Sequence, residues 1–237
     1  MKRRISSWAA PAAALLCLAP AHAGGITAAE QSAVMADFDI VETTVTVNND
    51  VAVFTSRVRG SAGASKPAAT GKFEGAGVYA YVWPTSLNSA DVGFDKDQGI
   101  VALAATFHPD FDDGAKGAGN RDVWHAHWVV LGKDEACKGG LKVIDIAEGA
   151  KPKVPETWPG VPLLIDSPDY ATELSGATAV VRVPVAAVGA IGGASFDGVT
   201  AGLRVNANLH APLLCVEDVF KVASGNLSLP GKVESAP

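Results

Sequence analysis

Three of the five histidines in the chain lie within the stretch 108–127, together with several acidic residues. These histidines are His108, His125 and His127. Neutral imidazoles and carboxylates are common protein ligands of Zn²⁺ and Cu²⁺, with bonds of about 2.0–2.2 Å. The local density of these residue types therefore predicts a binding site for a divalent metal ion.

Two apolar, β-prone segments carry these histidines, and a polar, glycine-rich loop separates the segments. Residues 99–107 form the first segment and residues 123–131 the second, which is the pattern of a β-hairpin with a long connection. Alternate residues of a strand share a face. His125 and His127 therefore point to one side of the hairpin, and the two neighbouring tryptophans point to the other.

The pairing register decides whether the histidines are kept apart from the bulky apolar residues. With His125 opposite Thr106 and His127 opposite Ala104, small residues and a threonine form the floor of the histidine face. A slip by one residue would move His108 to the tryptophan side of the hairpin. We therefore predict the first register, in which His108 lies beside the other two histidines.

A fourth metal ligand must come from outside these three histidines. The candidates are Asp110, two residues after His108, and His210, near the end of a later predicted strand. The chain offers neither a free cysteine beside the histidines nor a set of thioethers, so Zn²⁺ or Cu²⁺ is favoured over Cu⁺. Another interpretation of the same loop is a Ca²⁺ site made by Asp110, Asp112 and Asp113.

The chain begins with a predicted secretory signal peptide. Lys2, Arg3 and Arg4 form a basic start, an Ala/Leu-rich segment follows, and residues 21–23 read Ala-His-Ala, a small-x-small cleavage site. We therefore assign residues 1–23 to the signal and expect a periplasmic or secreted protein. The pair of arginines is also a feature of twin-arginine signals, so both export routes are open.

Charge and cysteine content narrow the range of partners. The formal net charge is −6, and it becomes more negative when the basic start is removed, which argues against nucleic acid and anionic membranes as partners. No later segment is long and apolar enough to predict a membrane span.

Cys137 and Cys215 follow the signal, and such a pair in an exported protein predicts a disulfide bond.

The remaining segments predict an all-β domain. About eight to ten short β-prone segments alternate with turn signals, and no long helix is indicated. This pattern predicts a single antiparallel β-sandwich, of jelly-roll or immunoglobulin-like type, over residues 24–230. Residues 231–237 are expected to form a disordered tail.

An organic ligand is the alternative to a metal ion. Tyr79, Tyr81 and Trp83 share one face of a predicted strand, and such an aromatic stripe either stacks on sugar rings or packs into a core. A later predicted strand has a polar face that carries Arg204, Asn206 and Asn208. Together these residues predict a module that binds carbohydrate or another small organic molecule.

The segment 179–189 reads Ala-Val-Val-Arg-Val-Pro-Val-Ala-Ala-Val-Gly, a strand that ends in a hydrophobic-Pro-hydrophobic turn. With the polar strand 203–208 that follows, it resembles a late strand of DOMON-type and family 9 carbohydrate-binding sandwiches. The resemblance implies a β-sandwich that binds haem or sugar. For haem-binding members, the resemblance implies a methionine as axial ligand of the haem iron. Met35 is the only methionine after the signal.

Enzyme motifs are absent from the sequence, which has no G-x-S-x-G, no H-E-x-x-H and no P-loop. We therefore predict an exported, non-catalytic protein that coordinates Zn²⁺ or Cu²⁺ through the hairpin histidines. A structural or interaction protein without a small ligand is the third hypothesis, and it is favoured if the histidines do not converge.

Overall fold

The computed structural model describes residues 24–189 and 191–235 of the chain. The predicted signal peptide, residues 1–23, lies outside the described residues. Short 3-10 turns are found at Ala36–Phe38, Ser89–Val92, Ala115–Gly117 and Val185–Ala187. Within the described ranges, no helix has the length and apolar character that a membrane crossing requires.

The strands are mostly rich in branched apolar residues and threonine, which favour extended backbone. In chain order they are β1 (Ile26–Thr27), β2 (Ile40–Asn48), β3 (Val51–Val58), β4 (Gly77–Pro84), β5 (Ile100–Phe107), β6 (His125–Lys133), β7 (Leu141–Val143), β8 (Ile165–Asp166), β9 (Ala171–Ser175), β10 (Thr178–Pro184), β11 (Ser195–Phe196), β12 (Val199–Val205), β13 (Leu214–Val222), β14 (Gly231–Lys232) and β15 (Glu234–Ser235).

Two large sheets are built from these strands. In the first sheet the order is β1-β2-β3-β10-β9, with antiparallel pairing throughout and β15 added in parallel beside β2. In the second sheet the order is β5-β4-β12-β13-β7-β6, and β5 also pairs with β6. The second sheet therefore closes on itself as a six-stranded barrel, to which β8 is attached through β6.

The closed barrel corrects the predicted architecture. The chain is all-β with antiparallel sheets, as expected, but two open sheets stacked as a sandwich do not describe the second sheet. Closure depends on the short strand β7, which pairs with β6 on one side and with β13 on the other, through Lys142 opposite Cys215. Such a one-residue contact leaves no pattern in the sequence.

Two separate apolar cores follow from the alternation of side chains on the barrel strands. The outer faces of β4, β5 and β6 supply Trp83, Leu103 and Trp128, which pack against Phe54 and Val181 of the first sheet. The inner faces supply a second cluster of mostly small residues inside the barrel, including Val78, Ala80, Ala102, Ala104, Val129, Ala201 and Val216. Bulky side chains therefore join the two sheets, and small ones line the barrel.

Residues 231–235 of the predicted tail include two short strands in the structure. Strand β14 pairs with β11, and β15 pairs with β2. Val233 lies between these strands, is buried, and donates its backbone N–H to the carbonyl of Ala194. Burial of this valine and the backbone hydrogen bonds of β14, β15 and Val233 attach the tail to the domain.

Cys137 and Cys215 form the predicted disulfide bond. Cys137 lies in the loop between β6 and β7, and Cys215 lies in β13. The bond therefore joins the two sides of the barrel where β7 closes it. The two cysteines are separated by 78 residues, so the bond restricts a long loop in the unfolded chain.

A buried ion pair attaches the segment before β2 to the barrel. Asp39 has no exposed surface, and its carboxylate accepts hydrogen bonds from Lys221 Nζ at 2.7 Å, Arg59 Nε at 2.8 Å and the Gln31 backbone N–H at 2.8 Å. Burial alone raises the pKa of Asp39, but the hydrogen bonds from Lys221, Arg59 and Gln31 outweigh burial and lower the pKa. The carboxylate of Asp39 is therefore ionised, and the positive charges of Lys221 and Arg59 balance it inside the protein.

Replacement of both cysteines, Cys137→Ala with Cys215→Ala, should reduce the free energy of unfolding by about 4 kcal/mol, because the loop is no longer closed in the unfolded state. Urea denaturation of the oxidised protein and of the double variant measures this difference. The wild-type protein treated with a reductant provides the control, since it should approach the variant. Equal free energies of unfolding for oxidised protein and double variant would contradict the expected role of the bond.

The variant Asp39→Asn should lose about 3–5 kcal/mol of unfolding free energy at neutral pH, because Lys221 is left buried without its partner. The folded pKa of Asp39 lies below the unfolded value, so its stabilisation is complete above about pH 4 and disappears as pH falls through the folded pKa. The difference between wild type and variant should therefore shrink at acid pH in urea denaturation.

The exposed pair Glu42–Arg57 provides the matched control for this experiment. Glu42→Gln should change the free energy of unfolding by less than about 1 kcal/mol, because an exposed ion pair is screened by water. A difference between wild type and Asp39→Asn that is constant from neutral to acid pH would contradict the assignment.

Candidate metal centre

The predicted register of the histidine hairpin is confirmed. His125 lies opposite Thr106, and His127 lies opposite Ala104. His127 and the following alternate residue Val129 line the inside of the barrel, whereas Trp128 packs in the core between the sheets. The pleat of β6 therefore places the two histidines on the inner side of one barrel end.

His108 follows directly after the last residue of β5 and joins this pair. His108 Nε2 is 3.0 Å from His125 Nε2. The ring of His108 is stacked on Phe111, with ring centroids 4.0 Å apart, which fixes the plane of the imidazole. His108 and His127 are each 1% exposed, so the group lies inside the protein.

The fourth member of the group is Asp113, from the loop between β5 and β6. One carboxylate oxygen, Oδ1, is 3.3 Å from His108 Nε2 and 3.2 Å from His125 Nε2. The other oxygen, Oδ2, is 3.4 Å from His127 Nε2. These four side chains are all able to offer a ligand atom, and the four atoms lie within 4.8 Å of one another.

The loop holds Asp113 in this position through reciprocal hydrogen bonds with Asn120. The Asn120 amide donates to Asp113 Oδ1 at 2.8 Å, and its oxygen accepts the Asp113 backbone N–H at 3.0 Å. Asp112 closes the same loop by accepting the backbone N–H groups of Asn120 and Arg121. The carboxylate is therefore oriented by residues that do not themselves reach the histidines.

Each histidine uses its other ring nitrogen in a contact with a backbone carbonyl. Nδ1 of His108 is 2.9 Å from the carbonyl oxygen of Phe111, and Nδ1 of His125 is 2.9 Å from that of Val123. Nδ1 of His127 is 3.0 Å from the carbonyl oxygen of Asp166. A carbonyl only accepts hydrogen bonds, so all three Nδ1 atoms carry the proton in the neutral rings. All three Nε2 atoms therefore present lone pairs to the centre of the group.

His127 Nε2 shows most clearly that lone pairs face one another in this group. His127 Nε2 is buried and has no hydrogen-bond partner among the described residues, although Asp113 Oδ2 is near. Both atoms are acceptors in this tautomer, so no proton lies between them. A cation placed among the four groups would satisfy these lone pairs together.

The pKa values follow from burial and from the charges inside the group. Burial lowers the pKa of His127 to about 4, against the raising effect of Asp113, and His125 and His108 lower it further. Burial alone raises the pKa of Asp113, but the electrostatic effect of His127 and the side-chain contacts with His108 and His125 outweigh it, so the pKa lies far below its usual range. At neutral pH the group therefore holds an ionised carboxylate and a neutral His127.

The spacing of the donor atoms suits a small tetrahedral ion. Four ligands at about 2.0 Å from Zn²⁺ are about 3.3 Å apart when they occupy the corners of a tetrahedron. The Nε2 atoms of His108 and His125 are 3.0 Å apart, and the three Nε2 atoms lie 3.2–3.4 Å from one or the other oxygen of Asp113. With one ligand atom from each residue, the four atoms lie within 4.8 Å of one another, so the group could hold a small ion after modest closure of its side chains.

Two predicted metal ligands lie outside this group. His210 is exposed and lies in the loop between β12 and β13, because β12 ends at Val205 and the predicted strand does not continue to residue 209. The Asp110 carboxylate instead accepts hydrogen bonds from the backbone N–H groups of Thr70 and Gly71. Neither residue is therefore placed to supply the fourth ligand.

The predicted Ca²⁺ site is not formed, because the three acids of the loop have different partners. Asp110 binds the segment at Thr70, Asp112 binds backbone N–H groups of its own loop, and Asp113 faces the histidines. Sequence inspection placed Asp113 only in this Ca²⁺ alternative and missed it as a partner of the histidines. Three neighbouring acids look alike in a sequence, and the path of the loop alone separates them.

The predicted sugar-stacking residues are mostly part of the core. Tyr81 and Trp83 have no exposed surface, so they are not available to a ligand. Tyr81 donates its hydroxyl to the Asp37 carbonyl, and Trp83 donates its indole N–H to Thr43. Tyr79 is half-buried and packs edge-on against aromatic neighbours. Stacking of sugar on this stripe was therefore a wrong interpretation.

The predicted polar stripe is divided between a strand and a turn. Arg204 is exposed in β12 and donates to the Gly75 carbonyl. Asn206 donates to the carbonyls of His210 and Pro212, and its own oxygen accepts the Asn208 backbone N–H. Asn206 and Asn208 therefore shape a turn, and the three side chains do not form one surface.

Comparison with protein-family models, with curated proteins and with solved structures finds no match to the chain. The group of three histidines and one aspartate must therefore be judged by its own geometry.

We expect the three histidines of the group to share the Nδ1–H tautomer in metal-free protein at neutral pH or above. Long-range ¹H–¹⁵N correlation spectra of the imidazole rings measure this directly, because protonated and unprotonated ring nitrogens resonate far apart. Exposed His210 serves as the internal control. An Nε2–H tautomer at two or more of the three rings would contradict the assignment.

Proposed function

We propose that this chain is a non-catalytic metal-binding protein that holds one divalent transition-metal ion. The ligands are Nε2 of His108, His125 and His127 and the carboxylate of Asp113. The observation that carries the proposal is the convergence of three imidazole lone pairs on one buried carboxylate, with every Nδ1 held by a backbone carbonyl.

The surroundings of the ligands support a built site more than a chance cluster. Carbonyls that accept the second nitrogen of ligating histidines are a recurring feature of metal sites, since they set ring orientation and tautomer. Here three rings are held in this way, and Asn120 orients the carboxylate. In the absence of a cation, an ionised carboxylate facing lone pairs in a buried place is costly.

Zn²⁺ is the ion that this donor set fits best, and Cu²⁺ is the second candidate. Zinc accepts tetrahedral nitrogen and oxygen ligands at the spacing found here, whereas Cu²⁺ favours a tetragonal arrangement. The absence of sulfur ligands disfavours Cu⁺. The closed set of four donors supports binding or storage of the ion over catalysis.

The proposal includes export from the cytoplasm. Disulfide bonds form and persist in oxidising compartments, and the bond between Cys137 and Cys215 is compatible with such a compartment. The basic and apolar start of the chain supports the same location. A periplasmic or secreted site would allow the protein to capture the ion outside the cell or in the envelope.

The variant Asp113→Asn should weaken Zn²⁺ affinity by at least about 100-fold, since even loss of residues that only orient ligands costs about 10–100-fold. Equilibrium dialysis of untagged, chelator-treated protein followed by elemental analysis measures the affinity. The metal-free variant should be at least as stable as metal-free wild type, because a buried charge has been removed. These two opposite expectations separate loss of the site from loss of the fold.

His210→Ala and Asp110→Asn provide the controls, since both residues resemble the ligands in type but lie outside the group. Both variants should keep the Zn²⁺ affinity of wild type. The proposal would be overturned by wild-type protein that retains neither Zn²⁺ nor Cu²⁺ at one ion per chain. Unchanged affinity in Asp113→Asn would remove the carboxylate from the site.

A further inference from the structure

The inside of the barrel is not filled by its own side chains. Ala80, Ala104 and Ala201 are among the inward-facing residues, and they leave two cavities of about 270 Å³ and about 320 Å³. Small barrels are usually filled by their inward side chains, and protein interiors contain few voids larger than a water molecule. Both pockets are partly open to the surface, and concave apolar pockets of this size are typical of small-molecule sites.

The two cavities lie end to end along the barrel. The first is lined by Val78 and Val205, at the end of the barrel that holds the histidines. The second is lined by Val82 and Val199, toward the opposite end. Thr106 and Val129 form walls of both cavities. The two cavities are therefore neighbours along the barrel, separated by Thr106 and Val129.

The linings are mostly apolar. Among the residues that the structure describes, the second cavity is lined by no charged side chain, and its polar side chains are Thr85 and Thr106. In the first cavity the polar groups are Thr106 and members of the metal centre and its loop, which are His108, Asp112, Asp113 and His127. A molecule in this space would have an apolar body, and any polar atom would lie toward Thr106.

The opposite end of the barrel has a rim of exposed apolar residues. Ile100, Val219 and Leu227 are 41%, 43% and 41% exposed, and all three line the second cavity. Leu227 and Leu229 also have φ angles of 57° and 53°, a left-handed conformation that is costly for leucine. Leu227 and Leu229 therefore place apolar side chains at this opening, although a left-handed backbone is unfavourable for leucine.

We infer that the barrel binds one uncharged, chain-like apolar molecule that enters past Ile100, Val219 and Leu227. This inference goes beyond the proposed metal function and does not require it. A linear molecule matches two cavities in line, and pockets of this size are typical of small-molecule sites. An anionic head group is disfavoured in metal-free protein, because Asp112 and Asp113 supply negative charge at the end of the first cavity.

The probe for the test is N-phenyl-1-naphthylamine, an uncharged dye whose fluorescence rises in apolar sites. Untagged protein should bind the dye saturably at one molecule per chain, with and without Zn²⁺. Decanol should displace the dye, and decanoate should do so at least about tenfold less effectively, because its carboxylate must leave water. Equal displacement by decanoate would overturn the uncharged class of ligand.

Leu227→Glu should weaken dye binding by at least about tenfold, since it places a carboxylate at the apolar entrance. Leu209→Glu is the matched control, because Leu209 is 40% exposed, has a φ angle of 56° and lines neither cavity. This control should bind the dye as wild type does. Ala201→Leu, which fills the second cavity, should also abolish or reduce binding.

Zn²⁺ affinity of each variant is measured in parallel, so that failure of the metal site and failure of the apolar site are distinguished. Leu227→Glu should keep the wild-type Zn²⁺ affinity and the wild-type circular dichroism spectrum. The inference would be overturned by the absence of saturable dye binding in wild type. Wild-type dye affinity in Leu227→Glu would equally overturn the proposed entrance.

Discussion

The pairing of β5 with β6 is the constraint on which the cores, the cavity and the metal centre all depend. Because side chains alternate across a sheet, one register decides the direction of every residue in both strands. The observed register places Leu103 beside Trp128 on the outside and Ala104 beside His127 on the inside. Bulky residues therefore pack between the two sheets. The inside of the barrel keeps its cavities and holds the imidazole of His127.

The electrostatic balance of the metal centre is set by groups that do not contact the ion position. Three carbonyl oxygens determine which ring nitrogen carries the proton, and Asn120 determines where the Asp113 carboxylate points. A carboxylate and three lone pairs facing one another in a buried place repel each other. The fold maintains this arrangement through the backbone carbonyls that contact each Nδ1, the stacking of His108 on Phe111 and the hydrogen bonds of Asn120.

Sequence reasoning succeeded where local alternation governs the structure and failed where the path of a loop does. The hairpin register, the shared face of His125 and His127 and the disulfide pair could all be predicted. The choice of Asp113 over Asp110 could not, because it depends on the turn closed by Asn120. The burial of Tyr81 between the two sheets and the closure of the barrel at Lys142 depend on distant partners, which periodicity does not reveal.

The metal centre is divided between a rigid and a less rigid part of the fold. Two ligands lie on paired strands and one follows directly after β5, whereas Asp113 belongs to a surface loop held by Asp112 and Asn120. Loops open more often than sheets. If the group holds an ion as proposed, the ion would leave most readily when this loop opens and Asp113 moves away. Asp112 would then influence the residence time of the ion through the loop that it closes.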